Sequence, residues 1–553
     1  MRIVQALSAT LIFVIVVGFS PPLAAQQGVL PERESEPHSA VAYVRAHQPE
    51  LLSYEELVEL GESDEIRLDL KQKMTALLET PFLSNEAHYQ GAEPIRPEIP
   101  RLGPSLRMVM WNIERGLRLD GIKLAFSDGD AFLKTADSQR VSAEVIAQVR
   151  GEMDVLRTAD VLVLQEVDWG MKRTEYREVV RELAELLNMN WAYAVEFLEV
   201  DPIDLGIEMF EGTPREDREQ FRKDIEVDKE RYRGLHGTAV LSRYPIREAR
   251  VIPLLAQGYD WYHGEKSGVS RLEAAKRATG GKVFLEKVFR EVRRGGRTHL
   301  FVTLDVPDLP GRRLTVSAPH LEARTKPSRR REQMREVLSH LSEIEHPVIL
   351  AGDLNTTLND SLPTSVKREI YKRVGSKEFW TTRGLLYATG LGLIYHVVTG
   401  GFRFLKNQND PTARHIPIFA SNPERGLFDE IEGFRDPNGY TFDFRGDSRR
   451  TVNGTAGTLA NSNQRGRKGF IPTFELARTV GPVGKLKLDW IFVKSYSQYP
   501  HSEDAPYRFG PHFAQTMEEL NFFPQEPLSD HNPISVDLPF GEPSQEDNQR
   551  EHP

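Results

Sequence analysis

Cysteine is missing altogether: none of the 553 residues is Cys. That excludes disulfides, thiolate metal sites, a thiol nucleophile and attachment of a lipid through Cys. Stability must come from a packed core, which this length allows. Long apolar runs are scarce. One opens the chain, Ile3 to Phe19, and another, Leu385 to Val398, is too short to span a bilayer. Excess positive charge is missing too, since the formal net charge is −10. The chain as a whole is not built to bind polyanions, although a local basic cleft would be hidden in that sum. Hydrophobic residues at 39% and charged residues at 27% describe a globular chain. It is longer than one core usually holds, so a catalytic domain with additions is expected.

The opening run reads as a secretory signal over residues 1–25. Arg2 gives the positive start, Ile3 to Phe19 the apolar stretch, and Ala24-Ala25 the small residues for cleavage. Export to the periplasm or beyond is therefore expected, with an uncleaved anchor as the alternative. Residues 26–104 read as an N-terminal helical extension. Ser53-Tyr54-Glu55-Glu56 has capping-box spacing, and a second helix is expected from Ser63 to Leu78. Pro94, Pro97, Pro100 and Pro104 form a stiff connector that places the domain boundary. The main domain covers 105–540, with inserts at 247–297 and 361–482, and a polar, disordered tail follows at 541–553.

Within the main domain one pattern recurs. Val348 to Ala351 is a short apolar strand that Gly352 ends, and Asp353 and Asn355 follow at alternate positions. Extended chain would put both on one side. Alone, Gly-Asp-x-Asn reads as a turn. Other strands end alike: Met108 to Ile113 with Asn112 and Glu114, Asp160 to Val167 with Glu166, and Arg313 to Ser317 running on to His320. Asp489 lies in Lys485 to Val493, and Ser529-Asp530-His531 precedes Ile534 to Leu538. Helices are expected from Ser138 to Leu156, around Val179 to Leu187 with Leu186 inward, and around Met334 to Ile344. Several strands are too close for helical crossovers, which points to α/β (α+β) layers with mixed sheet. The polar residues sit at strand ends, where such folds collect ligands. Carboxylates beside carboxamides suit a hard cation or a phosphate held near one.

Seven pieces in order carry a resemblance: Trp111-Asn112-Ile113, Gln165-Glu166-Val167, Leu241 to Ile246, Pro319-His320-Leu321, Gly352 to Asn355, Leu488-Asp489-Trp490 and Ser529-Asp530-His531. Together they resemble the endonuclease/exonuclease/phosphatase superfamily, the DNase I-like metal-dependent phosphoesterases. The resemblance covers Leu106 to about Pro539. It implies a four-layer sandwich of two mixed β-sheets flanked by helices, with Mg²⁺ or Mn²⁺ in a cleft. It also implies that Glu166 is the main metal carboxylate, with Asn112 beside it and Asp530 a further metal-side carboxylate. His531 would be the general base and Asp489 its partner. Asp353 and Asn355 would orient the nucleophile and contact phosphate, and His320 would hydrogen-bond the phosphate or leaving group. The chemistry needs these types, because a cation must neutralise an anionic ester before hydroxide can approach. Pro319 and Thr238 stand where the family often has Asn, which bears on substrate preference.

A nuclease-type phosphodiesterase is slightly preferred, with Lys326, Arg329, Arg330 and Arg331 as part of a basic rim. The alternative is a phospholipid or sphingolipid phosphodiesterase that touches a membrane surface through 385–398. A second alternative is a non-catalytic binding protein on the same fold. Tyr259 to Gly264 forms an aromatic cluster suited equally to stacking a base or to loop packing. No obligate protein partner is implied.

Overall fold

A computed structural model describes residues 42–100, 102–136, 141–200, 227–266, 292–356, 410–414, 421–443, 462–466, 469–475, 485–497 and 507–541. The signal segment, the 385–398 run, and residues 542–553 of the tail lie outside the described residues.

Two sheets pack face to face. The larger, ten-stranded, runs Ala46–His47, Phe82–Ser84, Asn190–Val200, Leu235–Ser242, Val161–Trp169, Gly103–Arg115, Ile534–Pro539, His512–Thr516, with short strands Glu98–Ile99 and Val292–Gly295 on its flanks. The smaller, five-stranded, runs Asp489–Lys494, Val348–Asp353, Arg313–Pro319, Thr298–Asp305, Ile246–Pro253. Each sheet is mixed. Gly103–Arg115 runs parallel to Val161–Trp169, and Arg313–Pro319 parallel to Val348–Asp353, while the other pairs are antiparallel. Strict alternation along the strands separates two faces. Met108, Met110, Val163, Ala194, Val240, Val302, Val316, Ile349 and Ile491 fill the layer between the sheets. Val109, Trp111, Leu162 and Leu164 turn outward under helices Ala143–Arg157 and Val179–Leu187. Helices Pro327–Leu341 and Arg425–Gly433 cover the smaller sheet through Met334, Val337, Phe428 and Trp490. This is the expected four-layer sandwich.

Local readings differ in detail. Ser53 caps helix Tyr54–Glu62 with a full capping box, but the second helix begins at Leu68. Ser142 caps the helix expected from Ser138, leaving Val141 outside it and exposed. Leu186, expected inward, is also exposed. Residues 46–47 and 82–84 pair into the larger sheet, and Leu57, Leu60, Leu70 and Leu77 join its outer core. The described part of the extension is therefore continuous with the main body across the proline connector.

Glu152 is buried in the middle of helix Ala143–Arg157, where it accepts from Leu520 N at 2.6 Å and Gln148 Nε2 at 2.9 Å. Burial pushes its carboxyl up to about 7, and those two bonds offset only part of that. The folded state thus keeps a proton that the unfolded chain loses, so stability falls as pH rises from about 4.5 to about 7. Glu152→Gln should lack this fall and be more stable than wild type at pH 8 by about 1–3 kcal/mol. Urea unfolding at pH 5 and pH 8 checks it; parallel pH dependence in the two proteins would refute the assignment.

Candidate active site

The polar strand ends meet at one end of the inter-sheet layer. Asp353 and Asp489 are directly opposite on antiparallel strands, an arrangement of like charges that costs stability. Both are buried. Burial, and next the Asp489 charge, raise the Asp353 carboxyl above its ordinary range, against the pull of His531 and His320. His531 enters from the turn before Ile534–Pro539. Its Nδ1 is 2.8 Å from Asp489 Oδ2, and its Nε2 is 3.8 Å from Asp353 Oδ2. Burial alone would lower the ring's pKa, but Asp489, Asp530 and Asp353 together push it up to about 10. Trp111 Nε1 donates to His531 O at 2.9 Å, and Ser529 Oγ donates to Asn112 O at 2.8 Å, fixing this turn to the Asn112 strand.

Three strands of the larger sheet, two of them adjacent and the third beyond Leu235–Ser242, each carry a bulge at the polar residue. Register shifts fall between Asn112 and Arg115, between Leu164 and Val167, and between Val195 and Phe197. Glu114, Arg115 and Glu166 have left-handed φ of 45°, 69° and 51°. Bulges re-aim side chains, here Glu114, Glu166 and Glu196, and the strands continue beyond them. Glu166 is thus mid-strand, where a strand end was expected. Burial would raise its carboxyl, yet His320, Arg115, His236 and His531 hold it well below the usual range.

Asn112 Nδ2 donates to Glu166 Oε1 and to Asp353 Oδ2, both at 3.2 Å, and its Oδ1 accepts from Glu114 N at 3.1 Å. Its amide therefore bridges two carboxylates and presents hydrogens to them. His320 Nε2 lies 3.9 Å from Asp353 Oδ2 on the side away from His531. Arg297 Nη1 donates to His320 Nδ1 at 2.7 Å; Arg cannot accept, so the neutral ring carries its hydrogen on Nε2. Glu196 Oε2 stands 3.4 Å from that same Nδ1. Burial would raise Glu196, but His320 and Arg297 hold it down at about 2.

A model of the endonuclease/exonuclease/phosphatase family matches residues 111–531, well over half of the chain. The chain belongs to this family. Its members are phosphoric ester hydrolases, and this chain is one by class. Similar solved structures include an endonuclease/exonuclease/phosphatase from Beutenbergia cavernae DSM 12333, at 19% identity over 79% of this chain and 72% of that one, TM-score 0.31. The human Nocturnin catalytic domain with bound sulfate matches at 12% identity over 78% of this chain and 94% of its own, TM-score 0.32. A Neisseria 3′ phosphatase, NExo, bound to a product DNA hairpin, matches at 12% identity over 78% and 99%, TM-score 0.32. A sequence search of curated proteins finds no match.

Six of the seven pieces thus come together in space, with particular changes, whereas Leu241 to Ile246 lies at the other end of the larger sheet, where Ser242 pairs with Val161. Gly352 does not end its strand, which runs through Asp353. Asn355 has a left-handed φ of 47°, so it shares the cleft with Asp353 through a turn and not through strand alternation. Asn355 N donates to Asp353 Oδ1 at 2.8 Å, and its Nδ2 to Leu321 O at 2.9 Å. Asp530 is half-buried beside His531, where its charge acts on the ring, and its backbone O accepts from Glu475 N. Of the basic rim, Arg330 is fully buried against Glu424 at 2.6 Å, and Arg331 pairs with Glu430. Arg465 lies over the Phe470 ring. Trp261 and Tyr262 are buried, which settles their part of the aromatic cluster as packing.

Sequence reading missed Glu196, Arg297 and His236, and gave no role to Gln165, although it stands in one of the quoted pieces. Gln165 stands next to Glu166, and it crosses the sandwich: Nε2 donates to Pro319 O at 2.6 Å and Oε1 accepts from Asp353 N at 2.5 Å. Thr238, noted as a departure, donates to Glu196 Oε1 at 2.6 Å. Its hydroxyl orients a carboxylate of the His320 group.

Proposed function

We propose that the protein is an exported phosphodiesterase, dependent on a divalent cation, that hydrolyses its ester by in-line attack of water without a covalent intermediate. The observation that carries this is the buried Asp489–His531 pair, set 3.8 Å from Asp353 with His320 on the opposite side of that carboxylate. Nucleic acid is the substrate class put first, with Lys326 and Arg329 exposed after His320.

The donor set fits a hard dication. Ligand atoms of Asp353, Asp489 and His531 all lie within 4.8 Å of one another. Asp489 Oδ1 is buried with no hydrogen-bond partner among the described residues. In this reading Glu166 would hold the ion, with Asp353 across the Asn112 amide and Asp530 on the His531 side. Bound there, it would neutralise the phosphate and polarise the phosphorus–oxygen bond. In the roles we assign, Asp489 keeps His531 in one tautomer, with Nε2 toward the reacting water. His531 then takes the proton of that water, which Asp353 orients. Surrounded by uncompensated carboxylates, His531 would keep its own proton at neutral pH, so it can act as a base only once positive charge sits among them. His320 donates from Nε2 to a phosphate oxygen gaining charge, or to the leaving group.

Turnover should vanish with chelator and return with Mg²⁺ or Mn²⁺, on a panel of plasmid DNA, RNA, sphingomyelin vesicles and an activated phosphodiester. Metal-independent turnover, or a trapped phosphoryl-enzyme, would defeat the mechanism.

A further inference from the structure

His236 belongs to no motif above, yet it is among the most constrained side chains near the cleft. It lies in the strand Leu235–Ser242, between the bulged Glu166 strand and the bulged Glu196 strand, opposite Asp168 on one side and Phe197 on the other. The alternation that puts Val240 in the inter-sheet layer puts Thr238 and His236 on that same face. Thr238 reaches Glu196 there, and the charge of His236 acts on both Glu166 and Glu196.

The ring is anchored from behind. Its Nδ1 is 2.8 Å from Asp168 Oδ1. Asp168 is held by Arg173 through Nε at 2.6 Å and Nη2 at 2.8 Å, and Arg173 Nη1 reaches Glu199 at 2.7 Å. Arg293 Nε completes the set, 2.8 Å from Glu199. Asp168, Glu199 and Arg293 are buried, Arg173 is half-buried, and His236 itself is 2% exposed. The other ring nitrogen, Nε2, has no hydrogen-bond partner among the described residues. A buried imidazole with one nitrogen clamped by an ion-paired carboxylate and the other unpartnered resembles His531 on Asp489, on the opposite flank of Glu166.

We propose that His236 is a substrate-binding residue whose Nε2 donates to an anionic oxygen of the phosphate ester, on the Glu196 flank of the site away from His531. With Nδ1 held on Asp168, Nε2 is the end of the ring that can meet an anionic oxygen. The Asp168–Arg173–Glu199–Arg293 chain positions the ring and touches no substrate. This rests on the phosphoesterase reading, deepening it by naming where the ester's far oxygen is held.

The test separates anchor from ligand contact. His236→Asn keeps an amide N–H near the Nδ1 position for Asp168 and deletes the Nε2 end. The full chain is assayed with Mg²⁺ by calorimetric titration with inorganic phosphate and by kinetics on an activated phosphodiester. His236→Asn should melt within about 3 °C of wild type. Its phosphate affinity should fall about tenfold to a hundredfold, and KM should rise more than kcat falls. Unchanged phosphate affinity and KM in a folded His236→Asn protein would overturn the proposal, as would absence of phosphate binding to wild type. If the wild type hydrolyses no diester but binds phosphate through His236, the catalytic reading fails and this site stands. Should His236→Asn not fold, His236→Gln, which carries an amide out to the Nε2 position, takes its place; it should retain phosphate binding, and its loss would count against the proposal.

Discussion

Replacing His531 by alanine should lower kcat by about two to four orders of magnitude, the range for removing a positioned general base. Binding of substrate should change far less, because the ring acts on the water and the phosphate contacts assigned to His320 and Asn355 remain. The same change has a cost to the fold. His531 is the cation between Asp489 and Asp353, which face each other across two strands. Removing it leaves both carboxylates buried and uncompensated, worth about 3–5 kcal/mol. The two effects are separated by assaying at a temperature where circular dichroism shows the variant folded. A pH signature accompanies them. The folded pKa of about 10 lies above the ordinary 6.5, so this pair's stabilisation is fully present below about 6.5 and is lost as pH rises toward 10. Unfolding curves in chelator should show that loss in wild type and not in His531→Ala. A variant that keeps kcat within a few-fold would remove His531 from the chemistry altogether.

Gly352→Ala should be the most damaging single methyl in the smaller sheet. A Cβ there would stand 1.9 Å from Pro319 O and 2.9 Å from Gln165 Nε2. Neither can step aside cheaply. Pro319 O is backbone of the adjacent parallel strand, and Gln165 is tied on both of its side-chain ends to that oxygen and to Asp353 N. Relief requires the two strands to part, which should cost about 3 kcal/mol or more. It also shifts Asp353 relative to His320 and Glu166, and a displacement near 1 Å commonly costs about a hundredfold in rate. Gly352→Ala should therefore lose stability and kcat together. Urea unfolding and steady-state kinetics on the same preparation test this, and a stable, active variant would show that the close approach has no structural consequence.

The chain's own letters went far because this family's signals are local. An apolar run followed by Asp, Glu, Asn or His is visible within a few residues, and the order of seven such pieces needed no tertiary knowledge. Cysteine content, helix caps at Ser53 and Ser142, and the layered α/β class were equally legible, since each depends on neighbours along the chain. What the tertiary structure decided lies across long loops. Gln165 meets Pro319 across 154 positions, and Arg297 meets Glu196 across 101, so neither residue's neighbourhood announces its role. Arg330 reads as one of a run of surface charges, but Glu424, brought by helix Arg425–Gly433, makes its face of the helix an interior one. Glu166 reads as a strand terminus, but pairing with two neighbours converts the spot into a bulge that turns the carboxylate into the cleft. His236 carries no sequence mark at all. Side-chain type and order are set residue by residue, whereas burial, bulges and charge pairing exist only once distant strands share hydrogen bonds, and those features decide which carboxylates and imidazoles can act together.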